Sequence, residues 1–279
     1  MPSTEFVENM IMISEDLVLQ VAEAGQGEPM VLICGTSQHY RLWEPLLPAL
    51  TSKYHVIAYN HRGIGDSTRG AGVISMASLA GDLAQLLTVL DVERAHLLGW
   101  SLGSAVAQEF AIACPERVKS LVLAATWGRT DAFQKAVIAA LAHPWRVGDR
   151  TEGLIALGLA FSPELLNSEI FVEMMTQIEP LFPVTSSQIE TVVEQWDADL
   201  AHDALDRLSG TTVPTLVIAG EQDLLTPARL GHLVSDSIVG ARYELLTGPG
   251  SSHAALLERT EEFTTLIKDF TPEPSGNRG

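Results

Sequence analysis

A short apolar run that leads into Gly99-Trp100-Ser101-Leu102-Gly103 constrains the fold of this chain more than any other stretch. Residues 95–98 have the composition of a buried strand, and residues 104–113 have the small-residue pattern of a helix. G-x-S-x-G between a strand and a helix predicts a sharp turn that strains Ser101 and exposes its hydroxyl at the edge of a sheet. Glycine is expected on both sides because larger side chains would collide across the turn. The free N–H groups at the helix start favour negative charge beside Ser101, so the Leu102 N–H is a predicted oxyanion donor.

Strand and helix patterns alternate on both sides of this turn, which predicts a mostly parallel sheet with helices on both faces. The other strands are expected at residues 6–13, 17–24, 30–34, 54–59, 118–124, 215–219 and 243–246. Helices are expected at residues 42–52, 76–90, 227–235 and 254–270.

Residues 127–208 interrupt this alternation with helical segments rich in large apolar side chains. We interpret this block as a helical insertion that forms a lid over the strand ends, with residues 1–126 and 209–270 forming the core. Residues 271–279 are polar and rich in Pro and Gly, and they are expected to fray.

The net charge, the lengths of the apolar runs and the cysteine content limit the binding partners and the cellular compartment that we expect. The 279-residue chain has a net charge of −18, which argues against binding nucleic acid or an anionic membrane. No apolar run approaches the roughly 18 residues of a membrane span. Cys34 and Cys114 provide no disulfide framework, and the N-terminus lacks a signal-peptide pattern, so we expect a cytoplasmic protein. The oligomeric state stays open.

A serine nucleophile needs a base and a carboxylate that orients the base, and two later segments provide them. Asp223 follows the strand at residues 215–219, and His253 ends the loop after the last strand. Asp131, which follows an earlier core strand, is an alternative acid. Glu221 is less suitable because of the length and direction of its side chain. No metal-ligand spacing and no G-x-G-x-x-G pattern are present, so neither a metal nor a cofactor is predicted.

These motifs together resemble those of lid-bearing α/β-hydrolase-fold serine hydrolases. That group includes 3-oxoadipate enol-lactonases, cofactor-free haloperoxidase-like esterases and biosynthetic methylesterases. The resemblance covers residues 20–270 and rests on the G-x-S-x-G turn, Gly220-Glu221-Gln222-Asp223 with Thr226-Pro227, His253 with Glu258, and Asn60-His61-Arg62-Gly63. It implies that Ser101 is the nucleophile, His253 the base and Asp223 its orienting acid.

The second oxyanion donor is expected in the loop after the strand at residues 30–34, where Thr36 N–H has the matching position. The family usually has His-Gly where this chain has Cys34-Gly35. Because the donor is a backbone group, that change leaves the donor itself in place. Cys34 is interpreted as a small buried hydrophobe and not as a second nucleophile.

Trp100 and Trp127 are the candidate pocket residues, the first beside the nucleophile and the second at the start of the insertion. The preferred function is a serine hydrolase that cleaves an ester or lactone of a small, largely apolar substrate through an acyl-enzyme. Three alternatives remain: an acyltransferase or thioesterase with the same triad, a C–C bond hydrolase, and a noncatalytic binding protein on the same fold.

Overall fold

Eight strands form a single sheet in the computed structural model, which describes residues 5–271. They are β1 (Val7–Met12), β2 (Val18–Gly25), β3 (Glu28–Ile33), β4 (Tyr54–Tyr59), β5 (Ala95–Trp100), β6 (Val118–Ala124), β7 (Thr215–Gly220) and β8 (Arg242–Leu246). Their order across the sheet is β1-β2-β4-β3-β5-β6-β7-β8. The pairs β1–β2 and β2–β4 are antiparallel, and the remaining neighbours are parallel. The predicted mostly parallel sheet is confirmed.

The α-helices follow the strands in the alternation that the sequence predicts. They are α1 (Leu47–Leu50), α2 (Met76–Val89), α3 (Leu102–Ala113), α4 (Ala132–Arg146), α5 (Arg150–Ala156), α6 (Pro163–Leu166), α7 (Glu169–Ile178), α8 (Ser186–Ala201), α9 (Ala228–Ser237), α10 (Ala255–Glu258) and α11 (Thr260–Phe270). Short 3₁₀ helices cover Tyr40–Leu46, Pro115–Arg117, Leu157–Ala160, Glu179–Leu181 and Leu208–Gly210.

Helices cover both faces of the sheet because its central strands are apolar on both sides. In β3, Val31 and Ile33 pack into the cluster that contains residues of α2, α3 and α9. Met30 and Leu32 point the other way, into the cluster that contains residues of α1 and α11. Successive side chains of a strand point to opposite faces, so a fully apolar strand serves two cores at once.

Two predicted helices differ from the observed ones. Residues 42–52 form a 3₁₀ helix followed by the single turn α1, with Pro45 inside the first and a proline at the start of the second. Proline has no N–H to donate, which favours short irregular turns over one continuous helix. Residues 254–270 form two helices because Arg259 leaves the helical conformation, with φ −129° and ψ 44°.

The helices α4–α8 lie between β6 and β7, where the sequence predicts an insertion. The two ends of this segment meet, since Arg129 and Asp203 form an isolated antiparallel bridge. Its helices supply most of a third apolar cluster, which also contains Ile64 and Leu225 from outside this segment. We call residues 127–208 the insertion from here on.

The expected fraying at the C-terminus does not begin at Thr271, which is buried. The Lys53 ammonium donates a 2.8 Å hydrogen bond to the Thr271 carbonyl, and the Tyr54 and Thr271 hydroxyls are hydrogen-bonded to each other. These contacts correct the prediction at that residue. The rest of the predicted tail, residues 272–279, lies outside the described residues. Within residues 5–271, no helix combines the length and apolar character that crossing a membrane requires.

Candidate active site

Ser101 occupies the sharp turn between β5 and α3, with φ 56° and ψ −124°. A Cβ atom added at Gly99 would lie 2.3 Å from the Gly103 carbonyl oxygen, which confirms the expected collision across the turn. A Cβ atom at Gly103 would instead lie 2.0 Å from the carbonyl oxygen of Ile33, at the end of β3. Glycine at both positions therefore lets the turn pack directly against the neighbouring strand.

His253 and Asp223 form the buried pair that the sequence predicts. The His253 Nδ1 lies 2.9 Å from Asp223 Oδ2 and 3.1 Å from Oδ1. The backbone N–H groups of Leu225 and Thr226 each donate a 2.8 Å bond to Oδ1, and the Thr226 hydroxyl donates a 2.7 Å bond to Oδ2. An ionised carboxylate only accepts hydrogen bonds, so Nδ1 is the donor in this pair and Nε2 takes no part in it.

The backbone around His253 is held by side chains from two directions. The Trp100 Nε1–H donates a 2.9 Å hydrogen bond to the His253 carbonyl. One residue earlier, the Ser252 hydroxyl donates a 2.6 Å bond to Glu258 Oε1. The same carboxylate accepts hydrogen bonds from the N–H and the hydroxyl of Ser162 in the insertion. Glu258 therefore connects the insertion to the loop that carries His253.

The two alternative acids have other partners. Asp131 caps α4, where its Oδ1 accepts a 2.9 Å bond from the Gln134 N–H, and it forms an ion pair with Arg229. The Arg229 guanidinium holds the pKa of the Asp131 carboxyl below its usual value. Glu221 accepts a 2.9 Å bond from the Gly248 N–H. The structure therefore pairs His253 with Asp223 and with neither alternative.

The predicted oxyanion donors are the N–H groups of Leu102 and Thr36. Leu102 is the first residue of α3, and Thr36 lies in the loop after β3 and lines the cavity that contains Ser101. Among the hydrogen bonds of the described residues, neither the Leu102 N–H nor the Thr36 N–H has an acceptor. Both groups are thus available to a negatively charged oxygen beside Ser101.

Residues 35–38, called the 35–38 loop, and the preceding Cys34 are held by hydrogen bonds from other side chains. The Gly35 N–H donates a 2.6 Å bond to Gln38 Oε1. The buried His61 ring donates through Nε2 a 2.9 Å bond to the Cys34 carbonyl. Burial raises the pKa of the Cys34 thiol to about 12, so this cysteine stays protonated at neutral pH and is a poor nucleophile.

A cavity of about 50 Å³ is lined by Ser101 and His253. Its other polar lining residues are Thr36, Ser37 and Gln38. The apolar lining residues come from the core and the insertion; they are Leu42, Trp100, Leu157, Ala160, Phe161, Ile178, Phe182, Trp196, Leu225, Ala254 and Leu257. Of the described residues that line it, none is Asp, Glu, Lys or Arg. Nor do residues 5–271 contain a group of three or more His, Cys, Asp or Glu placed to hold a metal ion.

The two tryptophans predicted for the pocket lie in different places. Trp100 lines the cavity and makes an edge contact with Trp43, with the ring centroids 6.0 Å apart. Trp127 is buried in the core on the other side of β6, where its Nε1–H donates a 3.1 Å bond to Thr130 and its ring packs on His202. Trp127 does not line the cavity, which corrects the expectation drawn from its place at the start of the insertion.

Sequence reasoning missed two side chains of α8 that contact the 35–38 loop. Gln195 Oε1 accepts a 2.8 Å bond from the Ser37 N–H, and Asp199 Oδ2 accepts a 2.6 Å bond from the Thr36 hydroxyl. Their spacing of four residues puts them on one helix face. A polar stripe on a helix usually marks its solvent face, so the sequence contained no signal for these contacts.

Comparison with known proteins identifies the family. A model of the alpha/beta hydrolase fold matches residues 28–149. Over 256 residues, the chain is 32% identical to the protein named "Putative carbamate hydrolase RutD" from Azorhizobium caulinodans, covering 89% of this chain and 93% of the relative. The chain belongs to the α/β-hydrolase fold family. The resemblance stated from the sequence motifs is therefore confirmed.

Solved structures of other α/β hydrolases agree over nearly the whole chain. A hydrolase from Pseudomonas aeruginosa PA01 is 31% identical, with a TM-score of 0.79 and coverage of 95% of this chain and 97% of that one. The enol-lactonase from Burkholderia xenovorans LB400 is 27% identical, with a TM-score of 0.80 and coverage of 91% and 96%. These relatives support hydrolase chemistry on a small molecule.

Proposed function

We propose that this α/β hydrolase cleaves a carboxylic ester or lactone of a small, largely apolar substrate through an acyl-enzyme on Ser101. The observation that carries the proposal is the arrangement around one cavity. Ser101 stands at its strained turn, and His253, with Nδ1 bound to Asp223, lines the same space. Among the described residues, no hydrogen bond joins the Ser101 hydroxyl to His253. Such contacts commonly tighten only when substrate is bound.

The reaction follows from these positions. His253 Nε2 takes the hydroxyl proton of Ser101 while Ser101 Oγ attacks the substrate carbonyl carbon. The negative oxygen that forms accepts hydrogen bonds from the Leu102 and Thr36 N–H groups, each worth about 2.7–4 kcal/mol of transition-state stabilisation. The carbon–oxygen bond to the alcohol then breaks, and His253 returns the proton to the leaving oxygen. A water molecule deprotonated by His253 attacks the acyl-enzyme. The bond between the acyl carbon and Ser101 Oγ then breaks, His253 returns its proton to that oxygen, and the acid is released.

The insertion acts as a lid in this proposal. Phe161, Ile178, Phe182 and Trp196 all belong to it and form part of the cavity lining. Their side chains keep water away from the acyl-enzyme and strengthen the electrostatic interactions inside the cavity. The division into a core of residues 1–126 and 209–270 and a lid of residues 127–208 is part of the same proposal.

The apolar lining of the cavity favours an uncharged substrate. A carboxylate buried in an apolar cavity costs several kcal/mol unless a cation pairs with it. The described lining residues include no Lys or Arg. We therefore expect a neutral acyl group, and the lining favours an aliphatic or aromatic one.

Similarity to the protein named as a carbamate hydrolase supports a second candidate substrate. A carbamate also presents a carbonyl carbon to the serine, and the same oxyanion donors would serve it. An uncharged carbamate ester fits the apolar lining on the same grounds as an ester.

The test compares matched substrates on the purified protein and its Ser101→Ala variant. p-Nitrophenyl butyrate and p-nitrophenyl hemisuccinate have acyl chains of the same length and differ in one terminal carboxylate. We expect kcat/KM to be about 100-fold or more higher for the butyrate, since several kcal/mol separate the two. A lactone, an aryl thioester, an aryl carbamate and an added alcohol acceptor then rank the competing activities. Equal turnover by the wild type and Ser101→Ala would refute the mechanism, and equal use of both esters would refute the neutral cavity.

A further inference from the structure

Insertion helix α8 contacts the 35–38 loop at two consecutive residues. The Ser37 N–H donates a 2.8 Å hydrogen bond to Gln195, and the Thr36 hydroxyl donates a 2.6 Å bond to Asp199. All four residues are buried. Gln195 and Asp199 lie one helical turn apart, so a single face of α8 holds two adjacent loop residues.

Both bonds hold the chain immediately after the Thr36 N–H, the predicted oxyanion donor. Ser37, the next residue, has a φ of 63°, a left-handed conformation that is strained for a residue other than glycine. The hydrogen bond from its N–H to Gln195 stabilises that conformation. The conformation of the Thr36–Ser37 peptide, directly after the Thr36 N–H, thus depends on a residue that is 158 positions away along the chain.

Asp199 is suited to this position only as a neutral acid. Its Oδ2 accepts the Thr36 hydroxyl, but its buried Oδ1 has no hydrogen-bond partner. An ionised carboxylate would leave unsolvated negative charge on that oxygen. Burial raises the pKa of Asp199 to about 8, against a smaller lowering by the Thr36 hydrogen bond. At neutral pH the carboxyl therefore places no charge beside the oxyanion site.

We infer that Gln195 and Asp199 are positioning residues through which the insertion fixes the Thr36 N–H for oxyanion binding. The inference rests on the proposed function and adds that α8 is a working part of the oxyanion hole. The core alone does not complete that site, because two of the bonds that hold the 35–38 loop come from the insertion.

The ionisable side chains around Asp199 are paired with other residues. Burial and the Thr36 hydrogen bond are therefore the two causes of its pKa shift. Within residues 5–271, the only other side chain that forms a hydrogen bond with Asp199 is that of Thr130, whose hydroxyl donates to the Asp199 backbone carbonyl. Neighbouring ionisable groups on and after α8 form separate pairs: Asp197 with Arg146, His202 with Glu109, and Asp203 with Arg129. Across the cavity, His253 is bonded to Asp223.

Three variants distinguish a role of Gln195 and Asp199 in positioning the 35–38 loop from a role in packing alone. Gln195→Met keeps the approximate length of the side chain and Asp199→Leu keeps its branched shape, and both remove the acceptors of the 35–38 loop. Asp199→Asn keeps an acceptor for Thr36 and stays uncharged at every pH. Asp197→Asn, two residues away on the exposed side of α8, is the matched control.

We expect Gln195→Met and Asp199→Leu to lower kcat for p-nitrophenyl butyrate by about tenfold or more while KM changes little, because the oxyanion exists only in the transition state. In the wild type, kcat should fall as pH rises above 8, when Asp199 becomes charged. Asp199→Asn should retain kcat at pH 7 and lose that alkaline fall. Asp197→Asn should match the wild type throughout.

Amide hydrogen exchange of the peptide that covers the 35–38 loop gives a readout that needs no turnover. Faster exchange there in Gln195→Met and Asp199→Leu, with global unfolding unchanged, supports the inference even if no ester is cleaved. Unchanged exchange in both variants would overturn it. An alkaline fall that persists in Asp199→Asn, or unchanged kcat in Gln195→Met, would overturn it while leaving the Ser101 mechanism standing.

Discussion

Replacing Gly103 by alanine is the sharpest test of how the fold builds the site. Gly103 lies in the first turn of α3, and Gly81 lies inside α2. Helix propensity alone predicts that alanine stabilises both positions by about 0.5–1 kcal/mol. The structure predicts opposite effects at the two positions. The added Cβ at Gly81 has no heavy atom within 4 Å, whereas at Gly103 it would lie 2.0 Å from the Ile33 carbonyl oxygen.

The size of the effect at Gly103 follows from that distance. Cβ contacts under 3.0 Å essentially never occur, so α3 and the end of β3 must separate by about 1 Å. Overpacking of this kind costs about 1–3 kcal/mol of folding free energy. The two segments that separate carry Leu102 and, three residues beyond Ile33, Thr36. Loss of one oxyanion donor costs about 2.7–4 kcal/mol, which corresponds to a fall in kcat of about 10²–10³-fold.

The assay measures kcat for p-nitrophenyl butyrate and the free energy of unfolding in urea for both variants. Gly103→Ala should lose stability and most of its kcat, while Gly81→Ala should keep its kcat and gain stability. If Gly103→Ala retains kcat within a few-fold of the wild type, the oxyanion donors do not depend on close packing of the turn against β3, and the reasoning fails.

Three further perturbations test the surroundings of the site. Trp100→Phe keeps the aromatic ring but removes the hydrogen bond to the His253 carbonyl, so kcat should fall about tenfold with the fold intact, as steady-state kinetics and circular dichroism would show. Glu258→Gln loses a charged acceptor for Ser162 and should destabilise the protein by about 1–3 kcal/mol, measured by urea unfolding; an unchanged transition would contradict the role of Glu258 as a link to the insertion. Iodoacetamide at pH 8 should leave Cys34 unmodified in the folded protein, as peptide mass spectrometry would reveal, and a labelled native Cys34 would contradict its burial and raised pKa.

The strands were predicted well because a buried strand appears in the sequence as a short run of consecutive apolar residues. Each predicted strand is found within two residues of its expected ends. Helix continuity was harder, since the break at Arg259 separates two segments that share one apolar pattern. Pro45 interrupts the first predicted helix, and a regular helical period does not reveal such a change to 3₁₀ geometry.

The site was predictable where its chemistry is concentrated in motifs. The turn around Ser101 and the His253–Asp223 pair follow from spacing and from the order of residues along the chain. Trp127 was misplaced because its position at the start of the insertion says nothing about the direction of its side chain. The contact of Asp199 with the 35–38 loop was unpredictable for a related reason, since it joins segments 163 residues apart and arises only when α8 packs over the sheet.

Intact mass measured after treatment with a small fluorophosphonate tests the central claim most directly, because the probe reacts with a serine only when a base and an oxyanion site activate it. The wild type and Ser101→Ala would be treated side by side, and the modified peptide mapped. The proposed mechanism predicts one adduct on the wild type, located at Ser101, and none on the variant. No adduct on the wild type, or an equal adduct on Ser101→Ala, would contradict it.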